Sequence, residues 1–155
     1  MCENGQHCST IPAHPRYHRI AHGTYEKALR DAFWCGVWKR LVGADNHLIA
    51  FAEARRHIQK SKHYNCGLMV VPVDRIVGSS GRFRDFDSSF LPTRRTEDDR
   101  WVNVVQSHFE GITLPPVKLY QLDDAFYVED GNHRVSVARL LGETAIMANV
   151  VVIEG

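Results

Sequence analysis

The sequence predicts a mixed α/β (α+β) domain with a small mixed sheet, preceded by a helical N-terminal extension. Three observations carry this. Between residues 23 and 62 apolar side chains recur every three or four positions, the period of a helix face. From Leu68 onward they gather in short β-branched runs that alternate with helical segments. With 155 residues, the chain is long enough for one core of ordinary depth and too short for two.

Residues 1–22 are rich in breakers and read as an irregular lead-in. Thr24 is placed to cap a helix in which Tyr25, Leu29, Ala32/Phe33, Val37 and Leu41 share one face, and Gly43 stops it. Trp34 and Trp38 flank that stripe and are read as packing residues, with a base-stacking platform as the alternative. A second helix is expected after Asn46, with Leu48, Phe51/Ala52 and Ile58 on one side and Arg55, Arg56 and Lys60 on another. The helical extension, 23–62, is expected to pack on the core or on a second copy of the chain, because its apolar face is too large to leave in water.

The run LMVVPV at 68–73 reads as a strand that ends, or runs along an edge, at Pro72. Gly78–Arg95 reads as a long loop or short helical turns. Thr96-Glu97-Asp98-Asp99 has the form of a capping box, and Trp101, Val104/Val105 and His108 follow at helical spacing up to Gly111. Val117–Leu122 and Ala125–Glu129 are strands joined by a turn at Asp123-Asp124. Asn132–Leu141 is a helix closed by Gly142, and Ala145–Ile153 is a final strand. Residues 68–155 thus form the sheet domain.

Composition narrows the function classes. With 44% hydrophobic and 24% charged residues, the chain is neither a disordered nor a fibrous protein. No apolar run approaches the ~20 residues of a membrane helix, and a cytoplasmic protein without a membrane partner is the expectation. The net charge of +1 conceals an asymmetry: residues 1–67 carry ten Lys/Arg against five acids, residues 68–155 nine against thirteen. A basic extension on an acidic body suggests a docking surface beside a chemical unit; a solvated face on surface helices is the plainer alternative. Cys2, Cys8, Cys35 and Cys66 form no CxxC pair, and Cys35 reads as a buried free thiol. Cys2, His7, Cys8, His14, His18 and His22 have zinc-type side chains in spacings that match no common ligand pattern, so zinc is not expected.

The chemistry concentrates in Tyr127–Ala138. A strand ends in Glu129 and Asp130, turns at Gly131, and opens a helix with Asn132, His133 and Arg134. Free amides at a helix start favour an anion, Gly131 lets the backbone approach it, and Arg134 can grip phosphate oxygens in two-pronged fashion. Glu129 and Asp130 can hold Mg²⁺ or accept a proton. The alternative is a purely structural turn in which Arg134 pairs with Glu129 or Asp130. His133 can orient a nucleophile, donate to a phosphate, or order the turn. His108 is read as structural.

Three blocks in order resemble the ParB/sulfiredoxin-fold family, specifically its ParB-like N-terminal domains, over about residues 68–153. They are Val73–Ser79 with Arg82-Phe83-Arg84-Asp85-Phe86, then Leu114–Tyr120, then Val128–Arg134 with Ala138 and Gly142. The resemblance implies a nucleotide-binding protein. Gly131, Asn132, His133 and Arg134 would hold the phosphates, and Arg82 and Arg84 would approach from the early strand. Sulfiredoxins have a reactive cysteine where this chain has Asn132, so sulfinic-acid reduction is not expected. Partition proteins continue into a helix-turn-helix region that is not found in these 155 residues.

Three functions stay open on this basis. The first is hydrolysis or transfer of a phosphoryl group from ATP or CTP with Mg²⁺, with Glu129, Asp130 and His133 as catalytic groups. The second is a nucleic-acid-binding protein or nuclease, with Arg55, Arg56, Lys60 and Lys62 on DNA phosphates. The third is a non-catalytic regulator gated by a nucleotide.

Overall fold

The computed structural model describes residues 15–43, 46–93 and 98–155. It begins with a long helix, α1 (Pro15–Leu41), followed by a two-residue strand β1 (Ile49–Ala50) and a single helical turn, α2 (Phe51–Ala54). Then come β2 (Lys62–Pro72), a 3₁₀ turn at Val73–Arg75, β3 (Ile76–Ser79) and α3 (Asp98–Phe109). The chain finishes with β4 (Val117–Leu122), β5 (Ala125–Asp130), α4 (Asn132–Leu140) and β6 (Ala145–Glu154). The predicted mixed α/β class is the one observed.

The six strands form one mixed sheet in the order β1-β3-β5-β4-β6-β2. β1, β3 and β5 run parallel to one another, as do β4 and β6. β4 is antiparallel to β5, across the turn at Asp123-Asp124, and β2 is antiparallel to β6 over nearly its whole length. β5 therefore sits inside the sheet, and the turn that follows it leads directly into α4.

Alternation along the strands makes two cores. Val117 and Leu119 of β4, Phe126 and Val128 of β5, and Ala148 and Val150 of β6 pack with Trp101, Val102 and Val105 of α3 and Val135 and Val137 of α4. α1 joins this layer through Ala21, Tyr25 and Ala28; the Tyr25 ring lies 5.2 Å from that of Trp101. Trp101 is fully buried, and its indole Nε1 donates to Ser136 Oγ at 2.9 Å, so one side chain ties α1, α3 and α4 together. On the other face Phe51, Leu122, Tyr127 and Ile153 make a smaller cluster.

Several expectations are corrected. Residues 15–22 are helical, not irregular: a proline is favoured at a first helical position, where its missing N–H would have no partner anyway. Thr24 is no cap; it lies mid-helix, with its hydroxyl donating to Ile20 O at 2.9 Å. The second helix shrinks to one turn, and by Lys62 the chain has entered β2, so the sheet draws on residues before 68. Ile76–Ser79 is a strand and extends into what reads as loop. Residues Thr96 and Glu97 of the capping box lie outside the described residues. The apolar stripe of α1 is buried only in its first half. Phe33, Trp34, Trp38 and Leu41 face solvent, and Cys35 is half-buried, not enclosed.

Candidate functional site

Gly131 opens α4 with φ 106° and ψ 26°, a left-handed conformation that suits glycine. Its carbonyl accepts from Val135 N at 3.0 Å, the first bond of the helix, and no side chain caps the start. The amides of Asn132, His133 and Arg134 therefore lie at the open, electropositive end of the helix. They face a cleft of about 500 Å³ lined by Gly81, Arg82, Arg100, Asn103, Val104 and residues 129–134. Three arginines from three elements converge there.

Asn132 gives the cleft a second feature. The residue is 6% exposed, and its Oδ1 is buried with no hydrogen-bond partner. An unpaired buried acceptor costs about 1–3 kcal/mol, which makes Asn132 an unsatisfied polar group at the wall of the cleft.

Arg134 is held more tightly than a free phosphate grip would be. Its Nη2 donates to Asp130 Oδ2 at 2.9 Å, and its Nη1 donates to Pro116 O at 3.1 Å and to Pro115 O. Only 16% of its side chain is exposed, against 66% for Asp130. Of the two readings left open by the sequence, the geometry thus shows the pairing with Asp130. Arg134 fixes the turn to the Pro115-Pro116 segment, while its backbone amide stays at the helix mouth.

Glu129 owes its position to a bulge. Lys118 pairs with Asp130 and Leu119 with Val128, leaving Glu129 as the extra residue of β5. Tyr120 hydrogen-bonds to it, and burial followed by this bond pushes the Tyr120 phenol above its usual range. Glu129 and Asp130 both line the cleft. His133 lines it as well, with its ring edge-on to Phe86 at 5.5 Å.

The arginine block from the early strand divides. Arg82 reaches the cleft, with φ 39°, a left-handed value that is strained for a side-chain-bearing residue. Arg84 does not. The amide of Asp85 donates to Arg82 O at 3.0 Å, so the chain reverses at 82–85 and Arg84 is carried to another cleft, with His47, Ile49, Glu53 and Phe83. There its guanidinium lies 5.6 Å from the Phe83 ring. In its place the structure brings Arg100 and Asn103 from α3. They stand three apart and share a helix face, a spacing that could have been read from the sequence.

The proposed DNA contacts do not form a helical face. Arg55 lies over the Phe51 ring at 5.7 Å, Arg56 pairs with Glu53 at 3.7 Å, and Lys60 and Lys62 follow α2 on the way into β2. His108 approaches Glu143 at 3.4 Å, away from the cleft. Among the described residues no three His, Cys, Asp or Glu side chains stand together as a metal site, and Cys2, His7, Cys8 and His14 lie outside those residues. No helix among them is long and apolar enough to cross a membrane.

A larger cleft, about 710 Å³, sits between the Pro72–Asp74 turn and the end of α4, with Arg139 facing Asp74 and Glu143. Arg139 is spent on structure there: its Nη2 donates to Val73 O at 3.1 Å and Ile76 O at 2.7 Å. The α4 cleft, by contrast, lies at a helix start that no side chain caps.

Among solved structures, sulfiredoxin from Arabidopsis thaliana is similar to this chain with a TM-score of 0.40 and 18% identity, over 54% of this chain and 82% of that one. No family model matches, and no curated protein matches. What the cleft can do therefore follows from its own residues.

Proposed function

We propose that the protein binds a nucleoside di- or triphosphate, ATP or CTP in the first instance, at the N-terminus of α4. The observation that carries this is the pairing of opposite needs in one cleft. The amides of Asn132 and Arg134, at a helix start with no side-chain cap, favour an acceptor, whereas the buried Asn132 Oδ1 favours a donor. A bare phosphate supplies the first only; a nucleotide supplies both, through its phosphates and its hydroxyl or amino groups. Arg82 and Arg100 stand where they offset phosphate charge.

Two carboxylates do not make a full metal cage, and one oxygen of Asp130 is already bound by Arg134. Glu129 and the remaining oxygen of Asp130 fit Mg²⁺ that is carried in on the phosphates, the usual way that ion is held. The ion would supply charge neutralisation on the phosphoryl oxygens. The chain's own part is positioning: Arg134 locks the turn, Arg82 and Arg100 hold the phosphates, and Tyr120 orients Glu129. That set suits hydrolysis or transfer of a phosphoryl group, which demands placement and charge compensation above all. Glu129 is the proposed base or metal ligand, and Glu129→Gln is expected to slow turnover far more than it weakens binding. Equal losses in both would assign Glu129 to binding alone.

Thermal shift with ATP, CTP, ADP and pyrophosphate, with and without Mg²⁺, tests the reading. A nucleotide at 100 times its Kd adds about 2.7 kcal/mol of stability. Arg82→Gln and Arg100→Gln are each expected to weaken nucleotide and pyrophosphate alike. Asn132→Ala is expected to weaken nucleotide and leave pyrophosphate unchanged. No stabilisation by any nucleotide at millimolar concentration would overturn the proposal.

A further inference from the structure

The outward side of α1 is the least explained surface of the molecule. Its inward side is occupied by Ala21, Tyr25, Ala28 and Ala32, which are buried against the α3 layer. Opposite them, at spacings of three and four, run Lys27, Arg30, Trp34, Trp38 and Leu41, all exposed. Trp34 is 67% exposed and Trp38 68%, and Phe33 stands edge-on beside Trp34 at 5.6 Å. Indoles normally bury most of their surface, so two of them in water on one helix face mark an interaction surface.

Charge selects the occupant. α1 carries Arg16, Arg19, Lys27, Arg30, Lys39 and Arg40 against Glu26 and Asp31, and has no acidic residue in its first turn. Two copies meeting in parallel along this stripe would set cation against cation. An antiparallel pair would bring Lys27 and Arg30 to the Trp38 and Leu41 end of its partner, the alternative that the oligomeric state tests. A membrane-surface helix places its charges on the side opposite its apolar face, and here the opposite side is protein core. On α1 the cations and the rings lie on one track, Lys27 to Trp38 spanning about 16 Å at ~1.5 Å per residue. A flexible polyanion that carries flat rings matches such a track. Its phosphates meet Lys27 and Arg30, and its unpaired bases stack on Trp34 and Trp38.

We infer that the solvent face of α1 is a binding track for single-stranded nucleic acid. It is separate from the α4 cleft and does not depend on that cleft's ligand. The sequence reads Trp34 and Trp38 as packing residues with stacking as the alternative; their exposure shows that they do not pack in the core and favours stacking. Duplex binds more weakly than single strand, because its bases are not free to stack on the indoles.

The experiment is fluorescence anisotropy of the full chain with a labelled oligothymidylate, repeated over a salt series. Trp34→Ala and Trp38→Ala are each expected to lower affinity roughly fivefold or more, with the salt slope unchanged, since each indole contributes stacking and no charge. Lys27→Gln/Arg30→Gln is expected to lower affinity and flatten the plot of log K against log salt by about 1.4, at ~0.7 per phosphate contact on a single strand. All these positions are exposed, and an unchanged melting temperature confirms that the variants fold. Arg75→Gln, an exposed cation in the turn between β2 and β3, is expected to leave oligonucleotide affinity unchanged. No binding at low salt, or affinities unmoved by the Trp variants, would overturn the inference. So would a dimer that Trp34→Ala converts to monomer, which would assign the face to a second copy. Binding to phosphatidylserine vesicles without binding to the oligonucleotide would assign it to a lipid surface.

Discussion

Replacing Gly131 by alanine puts the turn into α4 to its most direct test. At φ 106° an added Cβ is strained whatever space surrounds it, at a cost of about 1–2 kcal/mol. Space is also lacking: the new atom would stand 2.6 Å from Val117 Cγ1 and 3.0 Å from both Val117 Cβ and Arg134 Nη2. Arg134 can yield, but Val117 is buried and β-branched, stiff at its first torsion, and sits in a paired strand. Overpacking of that kind costs about 1–3 kcal/mol, which brings the total to roughly 2–5 kcal/mol.

Gly142→Ala supplies the control, since Gly142 has φ 73° and nothing within 4 Å of the added atom. Its cost is the backbone part alone, about 1–2 kcal/mol. Urea denaturation followed by circular dichroism measures both. The excess of Gly131→Ala over Gly142→Ala reads the collision with Val117, and Gly131→Ala/Val117→Ala is expected to recover part of it as a non-additive term. Equal costs for the two glycine variants would show that Gly131 is not held against β4, and the account of how the turn is fixed would fall. Nucleotide affinity measured on the same proteins is expected to drop for Gly131→Ala alone.

Two further outcomes follow from buried polar groups. Trp101→Phe is expected to cost about 1–2 kcal/mol in denaturant unfolding beyond the loss of ring area, because it leaves the Ser136 hydroxyl buried without its 2.9 Å partner; adding Ser136→Ala to Trp101→Phe is expected to restore part of the loss. Asp87 is fully buried, and burial raises its carboxyl above the usual range, outweighing the amides of Ser89 and Leu91 and the charges of Lys39 and Arg139. A raised folded-state value means that its stabilising contribution is present at low pH and is lost as pH rises through that value. Asp87→Asn keeps an acceptor for the two amides at 2.9 Å, so its stability relative to wild type is expected to improve as pH rises above the ordinary carboxyl value of about 4 and to level off above the raised folded-state value. A difference that stays flat or falls as pH rises from about 4 would refute this reading of Asp87.

The second half of the fold is legible because local signals and tertiary packing agree there. Val117, Lys118 and Leu119 alternate buried and exposed and Leu122 is buried on the opposite face, as a strand between two clusters should be, and Asp123-Asp124 and Gly131 sit where the chain turns. β2 is less legible from residue 62. It is an edge strand exposed along most of its length, so Lys62–Cys66 carries no alternation that a period could reveal. In α1 the apolar period runs unbroken from Tyr25 to Leu41, yet the neighbour that buries it, α3, covers only the first half. Periodicity reports a face, not what lies against it. Within the cleft, residues 129–134 are legible because they are contiguous, whereas Arg100 and Asn103 arrive through tertiary structure. The pairing of Arg82 with Arg84 fails for a local reason, the turn between them.

α3 explains why these regions form one unit. Its residues 100 and 103 face the α4 cleft, while 101, 102 and 105 face the core, and Trp101 reaches α1 through Tyr25 and α4 through Ser136. The position of Arg100 in the cleft is therefore set by the residue next to it, which is clamped between two other helices. α1 contributes its buried face to that clamp and, among the described residues, exposes Trp34 and Trp38 on its outward face. The same helix can then carry Trp34 and Trp38 in solvent without loss to the fold, because the alanines and the tyrosine on its other side already supply its attachment.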